Sequence, residues 1–242
     1  KGERVGILGP NGAGKSTLML NMAGILTPSQ GEVNILGMPV KNENMSDIRR
    51  NVGVTFQNPD DQLFCSTVLE DVAYGPLNLG LAEDQATSRA ADALRQVGLE
   101  GYENRLPHHL SEGEKKKVAI ATVLSMRPKI LMIDEPTANL DPKSREELTE
   151  LISHVVRKNG MTLIIATHDV DLVLQLADKV FILDKGRIVA GGPVREVFRN
   201  IDLMRKARLE SPTISKLFYL MAERRIASLE TMPLTIDEAL DE

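Results

Sequence analysis

Nine consecutive residues near the start of the chain, Gly9-Pro10-Asn11-Gly12-Ala13-Gly14-Lys15-Ser16-Thr17, combine three glycines with a lysine and two hydroxyls. Glycine reaches backbone conformations closed to other residues, so such a run can curl until successive N–H groups face one anion. The apolar run Val5 to Leu8 leads into it, and a helical run, Leu18 to Ala23, follows. A helix start adds its partial positive charge, and the order strand, loop, helix is the setting that a phosphate-cradling loop requires. There Lys15 is expected to reach the β- and γ-phosphates of a nucleoside triphosphate, and the Ser16 hydroxyl to ligate Mg²⁺.

Hydrolysis of such a ligand needs a group that orients water. The apolar run Ile130 to Ile133 ends in Asp134-Glu135, which puts two carboxylates at the carboxyl edge of a buried strand, where open α/β sheets bind ligands. Asp134 suits a direct or water-mediated Mg²⁺ ligand, and Glu135 suits the base that polarises the attacking water. Thr162 to Ala166 likewise runs into Thr167-His168-Asp169, and a neutral imidazole at His168 can hydrogen-bond the γ-phosphate or the water. His108, His109 and His154 have no such placement and carry no role. Gln57 terminates Val52 to Phe56, so its amide oxygen is a further candidate Mg²⁺ ligand.

The elements that must hold these groups are legible as short apolar runs. Val5 to Leu8, Val52 to Phe56, Ile130 to Ile133, Thr162 to Ala166 and Lys179 to Leu183 are rich in Val and Ile and bounded by turn residues. That is the pattern of strands buried on both faces of a parallel sheet. Helical stretches alternate with them, which implies an α/β architecture with helices covering a mainly parallel sheet. Between Thr67 and Leu124 the strand pattern gives way to helical signals at Ala82 to Val97 and Ser111 to Leu124. A helical subdomain at about 67–124 is therefore expected inside a core made of about 1–66 and 125–193. After Leu183, Gly186 and Gly191-Gly192 frame a short strand, Arg187 to Ala190, and Pro193 opens a helix. Residues 194–242 read as an amphipathic helical extension with Leu203, Leu209, Leu217, Leu220 and Met221 as contact positions.

At 242 residues the chain is long enough for one large α/β domain with an appendage. Its formal net charge of −5 argues against broad attraction to nucleic acid. The basic run Lys115 to Lys117 reads as a solvated helix face or a local docking point. The single cysteine, Cys65, leaves no intrachain disulfide and no multi-cysteine metal site, fits a reducing compartment, and reads as a small packing residue. No apolar stretch approaches the roughly 20 residues that cross a bilayer, and no signal-peptide pattern opens the chain, so a membrane role has to come through a partner. Lys1 stands where a methionine would, and a strand follows almost at once, so a longer N-terminal end is expected ahead of it.

With these positions in order, the sequence resembles the nucleotide-binding subunits of ATP-binding-cassette transporters. The likeness rests on GPNGAGKST at 9–17, Gln57, LSEGE at 110–114, ILMIDEPTANLD at 130–141 and THD at 167–169, and it runs through about Pro193. It implies a RecA-like P-loop ATPase core with an inserted α-helical signature subdomain, acting on ATP with Mg²⁺ as a head-to-tail dimer that sandwiches two nucleotides. In that arrangement Ser111, Gly113 and Glu114 of one subunit would meet the nucleotide held by Gly9 to Thr17 of the other, and Asn139 and Asp141 would communicate across the dimer. A helix after Ser111 suits the task, because its free N–H groups face an anion. The aromatic residue that stacks on adenine in the family, from a strand ahead of the P-loop, has no counterpart in this chain.

Glu112 stands where the family has Gly, and Glu114 where it has Gln. A carboxylate within roughly 6 Å of a phosphate charge would cost about 2–3 kcal/mol per charge pair at an effective dielectric of about 20, before screening. Glu114→Gln is therefore expected to raise or preserve hydrolysis. A narrower likeness, carried by FQNPDDQLF at 56–64 and STVLEDVAYGP at 66–76, is to the cobalt and energy-coupling-factor importers. It implies a peripheral protein at the cytoplasmic face of the membrane, paired with a second identical or different ATPase subunit. It also implies an integral membrane coupling protein docked near the loop after Gln57, a substrate-binding membrane component and no nucleic-acid partner. Cobalt or nickel is the first expectation for the cargo and a vitamin the second, and the helical extension would strengthen dimerisation or cap the core. The competing reading is a soluble cassette ATPase acting on nucleic acid or ribosomes. Such proteins bring tandem cassettes or a long inserted coiled coil, whereas this chain shows one cassette and no sustained heptads. A cassette that binds ATP without hydrolysing it is disfavoured by Glu135 and His168.

Overall fold

Runs of Val, Ile and Leu without polar alternation need cover on both faces, and a parallel sheet under helices supplies it. The computed structural model describes residues 2–224, 226 and 232–240. Its strands are β1 (Arg4–Leu8), β2 (Asn34–Ile35), β3 (Met38–Pro39), β4 (Val52–Thr55), β5 (Ile130–Asp134), β6 (Thr162–Thr167), β7 (Lys179–Asp184) and β8 (Arg187–Pro193). The α-helices are α1 (Lys15–Met22), α2 (Met45–Asn51), α3 (Val68–Asn78), α4 (Glu83–Gln96), α5 (Glu112–Leu124) and α6 (Pro142–Asn159), followed by α7 (Val170–Leu176), α8 (Val194–Arg199), α9 (Ile201–Lys206), α10 (Thr213–Glu223) and α11 (Ile236–Leu240). The chain forms two units, Lys1–Glu3 with Ser16–Ala166, and Arg4–Lys15 with Thr167–Glu242. Six strands make the main sheet, with β4, β5 and β6 neighbours in that order, and likewise β1, β7 and β8.

In the first unit β4, β5 and β6 are parallel, with Thr55 opposite Ile133 and Asp134 opposite Ala166. Leu131, Met132 and Ile133 are buried on β5. Parallel register brings the carboxyl ends of these strands to one edge, so the Phe56-Gln57 and Asp134-Glu135 segments leave the sheet side by side. Helices α3, α4 and α5 pack on one another. Thr67 with Glu70 and Ser111 with Glu114 open α3 and α5 as reciprocal capping boxes, which satisfy N–H groups that a helix start leaves orphaned. Helix α6 begins at the cap Asp141 with Pro142 next and stops at Gly160, φ 60°, the two signals that start and end helices. Helix α5 lies directly on β4 at Gly53, where a Cβ would stand 2.0 Å from Val123 Cγ1.

The loop after Gln57 is built into this unit. Gln62 accepts from the Phe56 N–H at 3.3 Å and donates to Ala119 O at 3.0 Å and Thr122 Oγ1 at 2.7 Å. Buried Asp71 accepts from the Phe64 and Cys65 N–H groups at 3.0 Å each. Burial first, then Asp71, pushes the Cys65 thiol up to about 11, which keeps it protonated and unreactive. Two elements escape the periodicity argument: α2, and the β2–β3 hairpin, which turns at Leu36 and Gly37 with φ of 53° and 80°.

In the second unit β1 and β7 run parallel, Leu8 opposite Ile182, and β8 returns antiparallel through a turn at Lys185 and Gly186. Strand β8 extends past the expected Ala190 to Pro193. Leu8, Val180 and Ile182 share one apolar cluster with Val194, Val197, Phe198, Met204, Ala207 and Leu209, so α8 and α9 close over the strands. Of the expected contacts in the extension, Leu209 is buried and Leu203 packs on this cluster, whereas Leu217 and Leu220 are exposed. The reason is the rotation of α10, which buries Ser215 instead, its hydroxyl donating to Pro233 O at 2.8 Å. Residues 225, 227–231, 241 and 242 of that extension lie outside the described residues.

Gly53→Ala is expected to destabilise the protein by about 1–3 kcal/mol through overpacking against Val123. Thermal or urea melts check this, and Val123→Ala in the same chain is expected to restore part of the loss.

Candidate functional site

Strand β1 hands the chain to the glycine loop at Gly9, where a Cβ would stand 2.3 Å from Leu183 O. Gly12 and Gly14 take φ of 78° and 101°, which curl the backbone as no L side chain does without strain. The Ala13 N–H donates to Pro10 O at 3.1 Å, and the Gly186 N–H donates to Ala13 O at 2.9 Å, so both ends of the curl are tied down. Lys15 is buried, and its Nζ donates to Gly9 O at 2.9 Å and Pro10 O at 3.3 Å, folding the cation over its own loop. Helix α1 starts at Lys15 and carries Ser16 and Thr17, both exposed, in its first turn.

In the first unit Ser16, Gln57 and Asp134 line one cleft of about 300 Å³, together with Asn139, Glu112 and Lys116. They come from the first turn of α1, the loop after β4 and the end of β5. A hydroxyl, an amide and a single carboxylate are hard oxygen donors, a set that fits Mg²⁺ held jointly with phosphate oxygens and water. Among the described residues no group of three or more His, Cys, Asp or Glu is placed to hold a metal by itself.

Glu135 follows Asp134 with φ of 44° and is 7% exposed. A left-handed backbone at a non-glycine residue persists only where the surroundings enforce it. Here the Glu135 N–H donates to Ala166 O at 2.8 Å, and its carbonyl accepts from the Ala138 N–H at 3.3 Å and from Lys116 Nζ at 3.2 Å. His168 is exposed one residue past β6, and its neighbour Asp169 caps α7 by accepting from the Leu172 N–H at 3.0 Å.

At the start of α5, Glu114 turns back on its own helix. One carboxylate oxygen accepts from the Ser111 N–H and O–H at 2.8 Å each, and the other accepts from Tyr102 Oη at 2.7 Å with Arg105 at 4.0 Å. These bonds, the Ser111 N–H first, hold the Glu114 carboxyl below its usual range. Glu112 lies 3.6 Å from Lys115. Asp141 accepts from the Ser144 O–H and from its N–H at 3.0 Å, which lowers its carboxyl as well.

The run Lys115 to Lys117 is neither a solvated face nor a free docking point. Lys115 donates to Asp60 at 2.7 Å, Lys116 is buried against Glu135, and Lys117 donates to Glu147 at 3.2 Å. Sequence reading missed the roles of Lys116, Gln62, Asp71, Tyr102 and Arg105. Lys116 did leave a signal: it shares a helical stripe with Ile120, Val123 and Leu124, all buried.

A curled glycine loop that opens a helix, and parallel strands with polar groups at their carboxyl ends, are features of the P-loop ATPase class. The ABC transporter family model matches residues 1–138, more than half of the chain, and the chain belongs to that family. It is 50% identical over 226 residues to the energy-coupling factor transporter ATP-binding protein EcfA of Methanocaldococcus jannaschii, covering 93% of this chain and 81% of that protein. With EcfA of Methanothermobacter thermautotrophicus it shares 48% identity over 245 residues, 100% of this chain and 78% of that one. Among solved structures, cbiO1 from Clostridium perfringens, part of the ABC transporter complex cbiONQ, is similar at 41% identity and a TM-score of 0.77, with 92% and 88% of the two chains covered. An ATP-binding cassette solved as a dimer in a post-hydrolysis state with ADP and Pi is similar at 29% identity and a TM-score of 0.72, with 80% and 86% covered. The fold is that of the ABC ATPases, and within them the chain is EcfA-like and CbiO-like.

Because the folded protein holds the Glu114 carboxyl below its usual range, its charge contributes stability at neutral pH that disappears as pH falls through the lowered value. Glu114→Gln is expected to cost about 0.5–1 kcal/mol at neutral pH. The difference from wild type should close below the ordinary carboxylate range of about pH 4. Thermal melts of both proteins across acid and neutral pH check this.

Proposed function

We propose that two ATPase subunits, this chain and an identical or different partner, close head to tail on two ATP molecules and pass that closure to an integral membrane coupling protein of an energy-coupling-factor importer. The observation that carries the reading is the cleft bringing Ser16, Gln57 and Asp134 to one wall, with Glu135 following directly on Asp134. Residues Gly9 to Thr17 cradle the phosphates through backbone N–H groups, and Lys15 offsets charge on the β- and γ-phosphates. Ser16, Gln57 and Asp134 hold Mg²⁺, which neutralises phosphate charge when bound. Glu135 takes the proton of the attacking water, and His168 donates a hydrogen bond to the γ-phosphate.

In trans, the first turn of α5 turns its N–H groups to the partner's nucleotide at Ser111 and Gly113, with Asp141 beside them and Glu114 bracing Ser111. Gly113 supports this placement. A Cβ there would make only an ordinary 3.6 Å contact with Ser144, so packing within the chain does not demand glycine. Glycine there leaves room for a close approach from outside. Glu114 acts by holding Ser111 rather than by touching phosphate, since its oxygens face Ser111 and Tyr102.

The membrane component docks on the helical subdomain near the loop after Gln57. Phe64, 65% exposed, meets Tyr74 edge to face at 4.9 Å, and Leu77 is exposed beside them on α3, an apolar surface suited to a helix of the coupling protein. Among the described residues no helix is long and apolar enough to cross a membrane, and the place proposed for the chain, at the cytoplasmic face, comes through its membrane partner. The membrane components select the cargo, cobalt or nickel ions or a vitamin.

Glu135→Gln is expected to lower ATP turnover by about 10²-fold or more while leaving ATP binding intact, trapping an ATP-dependent dimer. Steady-state hydrolysis and light scattering with and without Mg-ATP check this, and turnover at the wild-type rate would remove Glu135 as the base. An integral membrane protein copurifying with the tagged chain is the expected partner. A salt-sensitive RNA complex in its place would favour the nucleic-acid reading.

A further inference from the structure

We propose that Lys116 is a positioning residue for hydrolysis, pinning the backbone of Glu135 from helix α5 so that its carboxylate faces the attacking water. The inference rests on Glu135 being the base. Lys116 is 6% exposed, and its Nζ donates to the Glu135 carbonyl at 3.2 Å within the wall of the nucleotide cleft. A lysine is rarely buried unless its cation has a fixed partner. Burial pushes its pKa down, and the charges of Glu112 and Glu135 pull it back up.

Glu135 is where such a tether matters. Its φ of 44° is a conformation that the chain does not hold without constraint. The bonds to Ala166 O and from the Ala138 N–H come from the neighbouring strand and from the turn that Glu135 itself opens. Lys116 adds one from a different element. The start of helix α5 carries Ser111 and Gly113, about 7.5 and 4.5 Å along the axis from Lys116 at about 1.5 Å per residue. The helix that meets the partner's nucleotide therefore also sets the base of its own subunit. Acting through the Glu135 carbonyl, Lys116 is a positioning residue whose removal is expected to change turnover and not ATP affinity.

Steady-state ATP hydrolysis by the full-length protein tests this with Lys116→Met, Lys116→Arg and a Glu135→Gln control. With Lys116→Met, which keeps the apolar stem and removes the donor, kcat is expected to fall about tenfold while KM for ATP stays within about twofold. Lys116→Arg, which keeps a cationic donor, is expected to recover kcat to within about threefold of wild type. Adding Lys116→Met to Glu135→Gln is expected to cost nothing further. Wild-type kcat in Lys116→Met, beside an inactive Glu135→Gln, overturns the proposal. So does a rise in KM that accounts for the loss, which makes Lys116 a wall of the cleft and no more. An active Glu135→Gln defeats the proposed function instead. If melts show that Lys116→Met does not fold, Lys116→Gln is read by the same split of kcat and KM.

Discussion

Parallel pairing brings the carboxyl ends of neighbouring strands to one edge, and the polar groups of this ATPase hang on that constraint. Asp134 ends β5 in register with Ala166 on β6, and the Glu135 N–H that follows is fastened to Ala166 O. Thr55 on β4 sits opposite Ile133, so the chain reaches Gln57 beside Asp134 without a long loop. In the second unit the same geometry brings Leu8 level with Ile182, and the glycine loop then turns against Leu183 O. An antiparallel arrangement of β4, β5 and β6 would scatter these ends to opposite edges.

Helix α5 is the second organiser. It reaches the loop after Gln57 through Gln62 and through the Lys115–Asp60 pair, the end of β5 through Lys116, helix α6 through Lys117 and Glu147, and α3 through the Ser125 hydroxyl on Val72 O. Buried polar groups are costly unless paired, so each of these contacts specifies a position more than it adds net stability. The loop after Gln57, the helix start at Ser111 and Glu135 are therefore joined through one helix.

Electrostatics in this chain are largely internal. Lysines that look like a basic surface are committed to Asp60, Glu135 and Glu147. The carboxylate of Glu114, which a linear reading sets against a phosphate, is bound to Ser111 and Tyr102, with Arg105 nearby. A negative charge at a helix N-terminus is favourable in itself, and that environment is what lowers the Glu114 carboxyl. The two departures from the usual signature motif are thus absorbed by the helix that carries them.

The glycine-rich loop, the parallel strands, the helices between Thr67 and Leu124 and the strand ends at which Gln57, Asp134, Glu135 and His168 stand were legible in the sequence. Each depends on short-range rules: glycine where φ is positive, apolar runs for buried strands, Ser or Thr with Glu for a helix start. The β2–β3 hairpin was not legible, because strands of two residues carry no period. Nor was the burial of Lys116, the outward turn of Leu217 and Leu220, or the turn of Glu114 back onto Ser111 and Tyr102. Those depend on which face of a helix meets which neighbour, and that is set by contacts between residues far apart in the chain. The sequence by itself determined which chemical groups this protein carries and at which strand ends they stand. Tertiary structure alone decided which way they point, because direction is a property of packing and not of order along the chain.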